Sequence, residues 1–399
     1  MLETRAVNRR GASATTIIDV ARRAGVSTAT VSRVLTGSAR VNPSLVAKVQ
    51  TAVEELGYRP SRAAQALRTR QARVWALIIP DVCNPHFTEM VRGIEDVAYA
   101  AGYSLILCNT DENSEKENSY LELALAEHVA GIILAPTGAA PSLIGEILAR
   151  NVRVVTVDRR LSSGVLDGAF VNNAAGAEQA VDHLLERGYR RLACICGPLD
   201  TTTGQDRLDG FLAALRRHGE EINDSNLVRV GDFRESGGRR EMEALLALAQ
   251  PPDAVLVANN LMTLGALKAA VAAGRDVPRD VAIVGFDDSS WNSVVHPPLT
   301  CVAQPAYDLG AESARLLLSR IEGYRGPTRE VMLVPTLRIR ESTAPPGSPA
   351  PVDATSERFI RPALGRNPAP TPDGTPGPRQ RGGRNGRVAR DSTRSHGHS

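Results

Sequence analysis

Residues 15–59, TTIIDVARRAGVSTATVSRVLTGSARVNPSLVAKVQTAVEELGYR, contain three short helical patterns that are separated by tight turns. The first helix ends at Gly25, a residue that readily takes the positive φ of a helix end. Ser27 caps the next helix only two residues later, so the two helices have to cross steeply. A third helix is predicted from Pro43, which suits the first turn of a helix. The stretch therefore predicts an all-α helix-turn-helix domain over residues 15–60.

The second helix of this domain presents small side chains to solvent at its start. Val31 and Val34 face inward, which leaves Thr28 and Ala29 on the outer side. Their hydroxyl and methyl groups suit base edges in the major groove, and the Ala29 methyl suits a thymine methyl. Polar side chains nearby suit phosphate oxygens, which position a domain without reading the sequence. The further candidates for DNA contact are Thr16, Ser27, Thr30, Ser32, Arg33 (to a guanine or a phosphate) and Asn42. Thr30 also fits an ordinary helix position.

The segment after Pro60, SRAAQALRT (61–69), is too short to be a stable isolated helix in water, where about 12–15 residues are already marginal. Such a segment can fold on binding DNA, and a plain linker is the alternative. We assign residues 61–73 as a hinge helix or linker, with Arg62 and Leu67 as DNA-contact candidates.

The runs IIDVARRAGVSTATVSRVL and VNPSLVAKVQTAVEELGYRPSRAAQALRT resemble the DNA-binding headpiece of the lactose/galactose repressor (LacI/GalR) family. The resemblance implies that Thr28 and Ala29 occupy the main base-reading positions. It also implies that the hinge helices of two subunits pair in the minor groove and that Leu67 is wedged between base pairs, kinking the duplex. We therefore expect a homodimer on double-stranded operator DNA, with a tetramer left open.

From residue 74 the chain alternates apolar, β-branched runs with helical stretches, a pattern typical of parallel strands covered by helices on both faces. Strands are predicted at 74–80, 103–109, 131–136, 153–158, 191–197, 254–259 and 281–287. These two sets predict an α/β core over 74–342 made of two doubly wound parallel-sheet subdomains. The family resemblance extends through about residue 342 and implies a periplasmic-binding-protein-like core, with chain crossings near 159–175, 301–306 and 323–329.

Open α/β sheets bind ligands at the carboxyl ends of their strands, and a sugar needs carboxylate, amide and guanidinium partners plus an aromatic face. The candidates for effector contact are Asp81, Asn84, His86, Phe87, Asp158, Arg207, Phe233, Asn259, Asp287 and Trp291. The resemblance implies effector roles for Arg207, Asp287, Phe87 and Phe233. An ion pair between subdomains is the alternative for Arg207 and Asp287, and core packing is the alternative for Phe87 and Trp291.

Two positions depart from the family pattern. The chain has Asn259-Asn260 where Asn-Asp is common, and His86 stands in NPHF where an aromatic residue is more usual. The loss of this carboxylate changes the ligand charge that the site prefers. The alternative is that it alters only the cap of a helix. We expect His86 to be exposed to solvent at the cleft mouth, and contact with an acidic sugar or phosphate is the alternative.

Charge divides the chain into three parts. Residues 1–73 carry 13 basic and 4 acidic side chains, residues 74–342 carry 25 and 36, and residues 343–399 carry 9 and 4. A basic head on an acidic body is typical of a nucleic-acid reader joined to a domain that does not bind nucleic acid. The last segment has 10 Pro and 8 Gly among 57 residues, so it is predicted to be disordered, as is 1–14.

Other classes of protein lack support in the sequence. There is no dinucleotide G-x-G-x-x-G loop, P-loop, catalytic triad pattern, secretory leader or apolar run of about 18 residues. Five scattered cysteines indicate reduced thiols in the cytoplasm, and Cys194 and Cys196 suit a buried strand rather than a metal site. We predict a cytoplasmic, ligand-responsive transcriptional repressor of carbohydrate genes, with a sugar-like effector and no metal, cofactor, membrane contact or catalytic activity. A sugar-transport protein and an enzyme with a fused DNA-binding domain are the rivals.

Overall fold

The computed structural model describes residues 15–36, 41–58, 73–138, 143–161, 166–220 and 224–345. Arg62 and Leu67, the two hinge candidates, lie outside the described residues. So do the segment 1–14 and residues 346–399, for which disorder is predicted.

The N-terminal domain contains three helices: α1 (Ile17–Ala24), α2 (Thr28–Thr36) and α3 (Pro43–Glu55). Thr16 begins α1, since its hydroxyl group accepts a hydrogen bond from the backbone N–H of Asp19, whose side chain bonds back to Thr16. Gly25 ends α1 with a φ of 66°. Val20, Val31 and Val49 are fully buried where the helices meet, so one small apolar core holds this domain together.

The strands of the core are β1 (Val74–Ile79), β2 (Ser104–Asn109), β3 (Gly131–Leu134), β4 (Arg153–Val157), β5 (Asp167–Val171), β6 (Leu192–Cys196), β7 (Val228–Val230), β8 (Ala254–Val257), β9 (Ala282–Phe286), β10 (Thr300–Ala303), β11 (Glu330–Leu333) and β12 (Thr336–Arg338). Its helices are α4 (Pro85–Ala100), α5 (Ser114–Ala126), α6 (Ile144–Ala149), α7 (Asn173–Glu186), α8 (Thr202–Arg217), α9 (Glu235–Leu246), α10 (Asn260–Ala272) and α11 (Ala306–Ile321).

The core strands form two sheets, which we call the first and second subdomain sheets. The first sheet has the order β11-β5-β4-β3-β1-β2 and is parallel throughout. The second has the order β12-β10-β9-β8-β6-β7, and only β12 runs antiparallel to its neighbour. The predicted fold class, a helix-turn-helix head and two doubly wound α/β subdomains, is confirmed.

The chain passes between the two sheets at three places, after β5, after β10 and after β11. The prediction for the last passage, 323–329, is wrong: the chain crosses at Val334 and Pro335. Residues 323–329 only connect α11 to β11, because β11 first pairs with β5 in the first sheet before β12 joins β10 in the second.

Helices α4 and α11 approach closely over the first sheet. A Cβ atom on Gly93 would lie 2.1 Å from the carbonyl oxygen of Tyr307, and one on Gly310 would lie 2.1 Å from that of Met90. Both glycines are therefore required by backbone-to-backbone contact, which fixes the position of α4 on this sheet. The beginning of α4 carries His86 and Phe87.

The cysteines are free thiols, and four of them, including Cys194 and Cys196 on β6, are buried. Burial raises the pKa of Cys196 to about 11, so it stays protonated at neutral pH. Within the described residues, no helix has the length and apolar character needed to span a membrane. The same part of the chain contains no group of His, Cys, Asp or Glu side chains arranged to hold a metal ion.

Candidate functional site

A narrow pocket, which we call the cleft, lies between the two subdomain sheets. Its walls are the loops that follow the carboxyl ends of strands from both sheets. The residues that line it are Asp81, Asn84, His86, Phe87, Glu112, Asp158, Arg159, Thr203, Arg207, Asp232, Phe233, Arg234, Asn259, Asp287 and Gln304. The structure thus brings together nine of the ten residues that the sequence nominated for effector contact.

The NPHF sequence places two side chains in the cleft through local helix chemistry. Asn84 begins α4, because its Oδ1 accepts a hydrogen bond from the backbone N–H of His86 at 3.0 Å, and Pro85 takes the first helical position. His86 and Phe87 follow in the first turn and are both buried. Their rings meet edge to face, with 5.3 Å between centroids.

The expectation that His86 is exposed is wrong, because its side chain is only 5% exposed. Its Nε2 lies 3.2 Å from Oδ1 of Asp158, and its Nδ1 lies 3.7 Å from Oδ1 of Asp287. Asp158 follows a strand of the first sheet and Asp287 a strand of the second. The imidazole ring therefore lies between carboxylates of the two subdomains.

The charges around this ring determine its protonation. Burial lowers the pKa of His86, but the Asp287 charge and the hydrogen bond and charge of Asp158 outweigh it, so the pKa is raised above 6.5. Burial raises the pKa of Asp158, but His86 and Arg159 oppose it and hold the pKa below its ordinary value. Both shifts favour an imidazolium–carboxylate pair within the cleft.

Backbone conformation directs three cleft side chains. Asp158, Phe233 and Asp287 have φ values of 66°, 60° and 71°, in the left-handed region that non-glycine residues seldom adopt. Such conformations cluster at ligand sites, where the surrounding structure compensates for their cost. A Cβ atom on Gly197, after β6, would lie 2.0 Å from the Phe233 ring, so only glycine leaves room for that ring.

Arg207 lies on α8 and is 4% exposed. Its Nε donates to Oδ1 of Asn173 at 2.8 Å, another of its nitrogens donates to the carbonyl oxygen of Ala258, and its guanidinium stacks on Phe286 at 4.1 Å. Burial lowers the pKa of Arg207, while the charges of Asp287 and Asp158 raise it. These contacts hold a cation beside the two carboxylates.

Sequence reasoning missed Arg159, although it directly follows Asp158. Its guanidinium makes two hydrogen bonds of 2.7 Å with the carboxylate of Glu112, and one to the carbonyl oxygen of Pro136. It also lies 5.2 Å from the centre of the Phe233 ring. Glu112 was missed as well, since it stands three residues beyond the end of β2.

Gln304 was missed because β10, the strand before it, was not predicted. Its Nε2 donates to Oδ1 of Asp287 at 2.5 Å. Asn260, the position noted for its missing carboxylate, donates from Nδ2 to Oδ1 of Asn84 at 2.9 Å and to Oγ of Ser289 at 3.1 Å. The Asn84 contact joins α10 of the second subdomain to the start of α4 in the first. The other missed lining residues are Thr203, Asp232 and Arg234.

Trp291, the tenth nominated residue, is not among the residues that line the cleft. It lies in a short 3-10 turn, Ser290–Ser293, and packs against the apolar cluster formed around β8 and β9. A single aromatic residue four positions after the end of the predicted strand 281–287 does not reveal the direction of the loop between them. Core packing, the alternative reading for Trp291, describes its position.

The candidate DNA-binding side chains among the described residues lie on or next to α2 and at the starts of α1 and α3. Thr28, Ala29 and Arg33 are exposed on α2. The hydroxyl oxygens of Ser27 and Thr30 lie 3.0 Å apart, and Ser27 also caps α2 by accepting from the Thr30 backbone N–H. The remaining candidates Thr16 and Asn42 are exposed caps of α1 and α3, and Ser32 is half-buried.

Comparisons with known proteins identify the same two regions. Residues 16–61 match the model of bacterial regulatory proteins, lacI family, and residues 181–343 match the periplasmic binding protein-like domain. The ribose operon repressor of Halalkalibacterium halodurans is 39% identical over 329 residues, which cover 82% of this chain and 97% of the relative.

Two solved structures are similar over most of their length. The Lac repressor dimer bound to operator and the anti-inducer ONPF has a TM-score of 0.74 and 28% identity, and the match covers 83% of this chain and 99% of that chain. A LacI family transcriptional regulator from Enterococcus faecium with bound ribose has a TM-score of 0.62 and 29% identity, covering 68% of this chain and 99% of that chain.

Proposed function

Since the chain belongs to the LacI family of bacterial regulatory proteins, we propose that it is a repressor whose effector is a neutral sugar of the size of ribose. The chain is a ligand-responsive, DNA-binding transcriptional regulator, as the sequence predicted. Its partners are operator DNA, a second copy of itself and a small molecule. We place its action in the cytoplasm and assign it no catalytic step, in keeping with relatives that are regulators.

One observation carries the choice of effector: the cleft joins hydroxyl-binding groups from both subdomains. Asp158 and Asp287 offer carboxylate acceptors, Arg207 offers donors and Asn259 offers an amide. Phe87 and Phe233 offer aromatic surfaces for the C–H face of a sugar ring. An effector that contacts both subdomains favours one relative arrangement of these subdomains. This arrangement in turn changes the positions of the two helix-turn-helix domains of a dimer relative to DNA.

The charge of the cleft argues for a neutral effector. Five carboxylates line it, against three guanidinium groups and His86. A phosphorylated sugar or a sugar acid would add negative charge to this surplus of carboxylates. The relative named a ribose operon repressor and the similar regulator with bound ribose support D-ribose as the first compound to test.

We further propose that Thr28 and Ala29 read bases and that Arg33 contacts a guanine or a phosphate. Contacts to phosphates are assigned to Ser27, Thr30, Ser32 and Asn42, with further DNA contacts from Thr16, Arg62 and Leu67. The exposed start of α2 supports the first assignment.

Isothermal titration of the full-length protein with D-ribose tests the effector proposal. We expect binding by the wild type, and a 10- to 150-fold weaker affinity in Asp287→Asn, the usual cost of losing one charged hydrogen bond. Arg217→Ala, which removes an exposed guanidinium paired with Glu178 and Asp182 at the other end of α8, is the control and should bind like the wild type.

A wild type that binds an operator but not ribose would refute the choice of effector. Equal ribose affinity in Asp287→Asn would refute the site. Fluorescence anisotropy of labelled operator, measured with and without ribose, shows whether the bound sugar releases or strengthens the DNA complex.

A further inference from the structure

His86 and Asn260, the two positions that depart from the family pattern, lie close together and both connect the subdomains. His86 on α4 contacts Asp287 of the second subdomain, and Asn260 on α10 contacts Asn84 of the first. The cleft is therefore bridged by the protein's own side chains.

The His86 ring lies between the two carboxylates that the proposed function assigns to the effector. Under the proposed function, hydroxyl groups of the sugar bind the carboxylates of Asp158 and Asp287. Those carboxylates are 5% and 6% exposed, and the imidazole ring already lies between them at 3.2 Å and 3.7 Å. An effector that uses both carboxylates has to displace this ring.

The charged groups that face the ring come from three elements. Asp158 follows β4, Asp287 follows β9, and Arg207 on α8 opposes them with a positive charge. Two carboxylates against one guanidinium favour a proton on the ring, and Phe87 shields one of its edges from water. A protonated ring donates from Nε2 to Asp158 and carries a positive charge that Asp287, 3.7 Å from Nδ1, also attracts, whereas a neutral ring lacks that charge.

The bond from Asn260 adds a link between the subdomains that carries no net charge. Oδ1 of Asn84 already accepts the backbone N–H of His86 as the cap of α4, so the partner at residue 260 has to be a donor. An aspartate at position 260 would place a carboxylate oxygen, which cannot donate, against Oδ1 of Asn84, which also only accepts. Both departures thus contribute contacts that join the two subdomains across the cleft.

We propose that protonated His86 is an internal competitor of the effector, which holds the cleft closed in acid and yields its place as the pH rises. The proposal rests on the proposed function only in taking the cleft as the effector site. The sign follows from linkage: between the ordinary pKa of a displaced imidazole and the raised pKa of the ring in place, effector binding releases a proton, so affinity falls by up to tenfold for each unit that the pH is lowered. Above that pKa, affinity becomes independent of pH.

Titration calorimetry of the full-length protein with D-ribose between pH 5.5 and 8.5 provides the first test. We expect the wild-type Kd to decrease by up to tenfold per pH unit and then to level off. His86→Gln and His86→Phe should bind ribose with a Kd that changes less than twofold over this range. His218→Gln, which removes an exposed histidine paired with Asp182 outside the cleft, should keep the wild-type slope.

A second test needs no effector. In ¹H–¹⁵N spectra of histidine-labelled, ligand-free protein, the ring signals lost in His86→Gln should titrate above pH 6.5. Ring titration at or below 6.5 would overturn the proposal, as would a wild-type ribose Kd that does not change with pH. Failure to bind ribose at any pH would refute the effector assignment alone, because the spectra would still decide the role of His86.

Discussion

Replacing Glu117 by glutamine is expected to stabilise the protein at neutral pH and to have little effect in acid. Glu117 lies on α5, is 1% exposed and accepts a hydrogen bond from the backbone N–H of Thr137 at 2.8 Å. Burial outweighs that hydrogen bond and the charge of Arg159, and raises the pKa of this carboxyl group from 4.5 to about 7. Glutamine keeps the acceptor for Thr137 and removes the charge.

The size of the effect follows from the two pKa values. A carboxyl group that holds its proton more tightly in the folded state loses stability as the pH rises from 4.5 through 7, since the unfolded chain ionises first. Full ionisation of Glu117 in the folded protein therefore costs about 3 kcal/mol. Glu117→Gln removes this cost, and its advantage over the wild type should be largest above pH 7.

Urea unfolding followed by far-UV circular dichroism, between pH 4.5 and 8, measures the difference in the free energy of unfolding. The free energy of unfolding of Glu117→Gln minus that of the wild type should increase by about 3 kcal/mol from pH 4.5 to pH 8. Glu115→Gln removes an exposed carboxylate from the first turn of the same helix and should leave the pH profile of the wild type unchanged. A Glu117→Gln advantage that is constant, or that shrinks as the pH rises, would refute the reasoning.

Three other substitutions address separate features. Glu112→Gln leaves the buried guanidinium of Arg159 without its charged partner and should lower the free energy of unfolding by about 2–3 kcal/mol. This loss is smaller than the loss expected for a fully buried ion pair, because the Glu112 side chain is 20% exposed. Trp291→Phe should leave the Kd for ribose within about twofold of the wild-type value in calorimetry, because Trp291 is not among the cleft-lining residues and packs against the apolar cluster around β8 and β9. Ala29→Gln should change the preferred operator by about 1–3 kcal/mol at the contacted base pair, and binding-site selection that returns one consensus for both proteins would contradict this.

The membership of the cleft was largely predictable because parallel strands place their carboxyl ends at one edge of a sheet. Residues at the end of a predicted strand, such as Asp158 and Asp287, therefore come together whatever the details of the loops. Gln304 also follows a strand, but this strand has only four residues and was not predicted from the sequence. Gln304 was therefore not nominated as a residue at the end of a strand.

Sequence patterns could not predict the surroundings of a side chain where distant segments of the chain form them. His86 is buried because two carboxylates, 72 and 201 positions further along the chain, converge on it. A histidine at a helix start gives no local sign of such partners. The third chain crossing, which the family resemblance implied near 323–329, was misplaced for a related reason: only strand pairing reveals that β11 still belongs to the first sheet.

The three passages between the sheets leave almost no slack in the chain. They consist of Asn172, of Gln304 and Pro305, and of Val334 and Pro335, and the backbone N–H of Asn172 bonds to the carbonyl oxygen of Leu333 at 2.9 Å. Connectors this short restrain sliding and separation of the two subdomains more than they restrain rotation. Gln304 lies within one of these passages and its amide donates to Asp287, so a rotation of one subdomain against the other would act directly on a contact in the cleft.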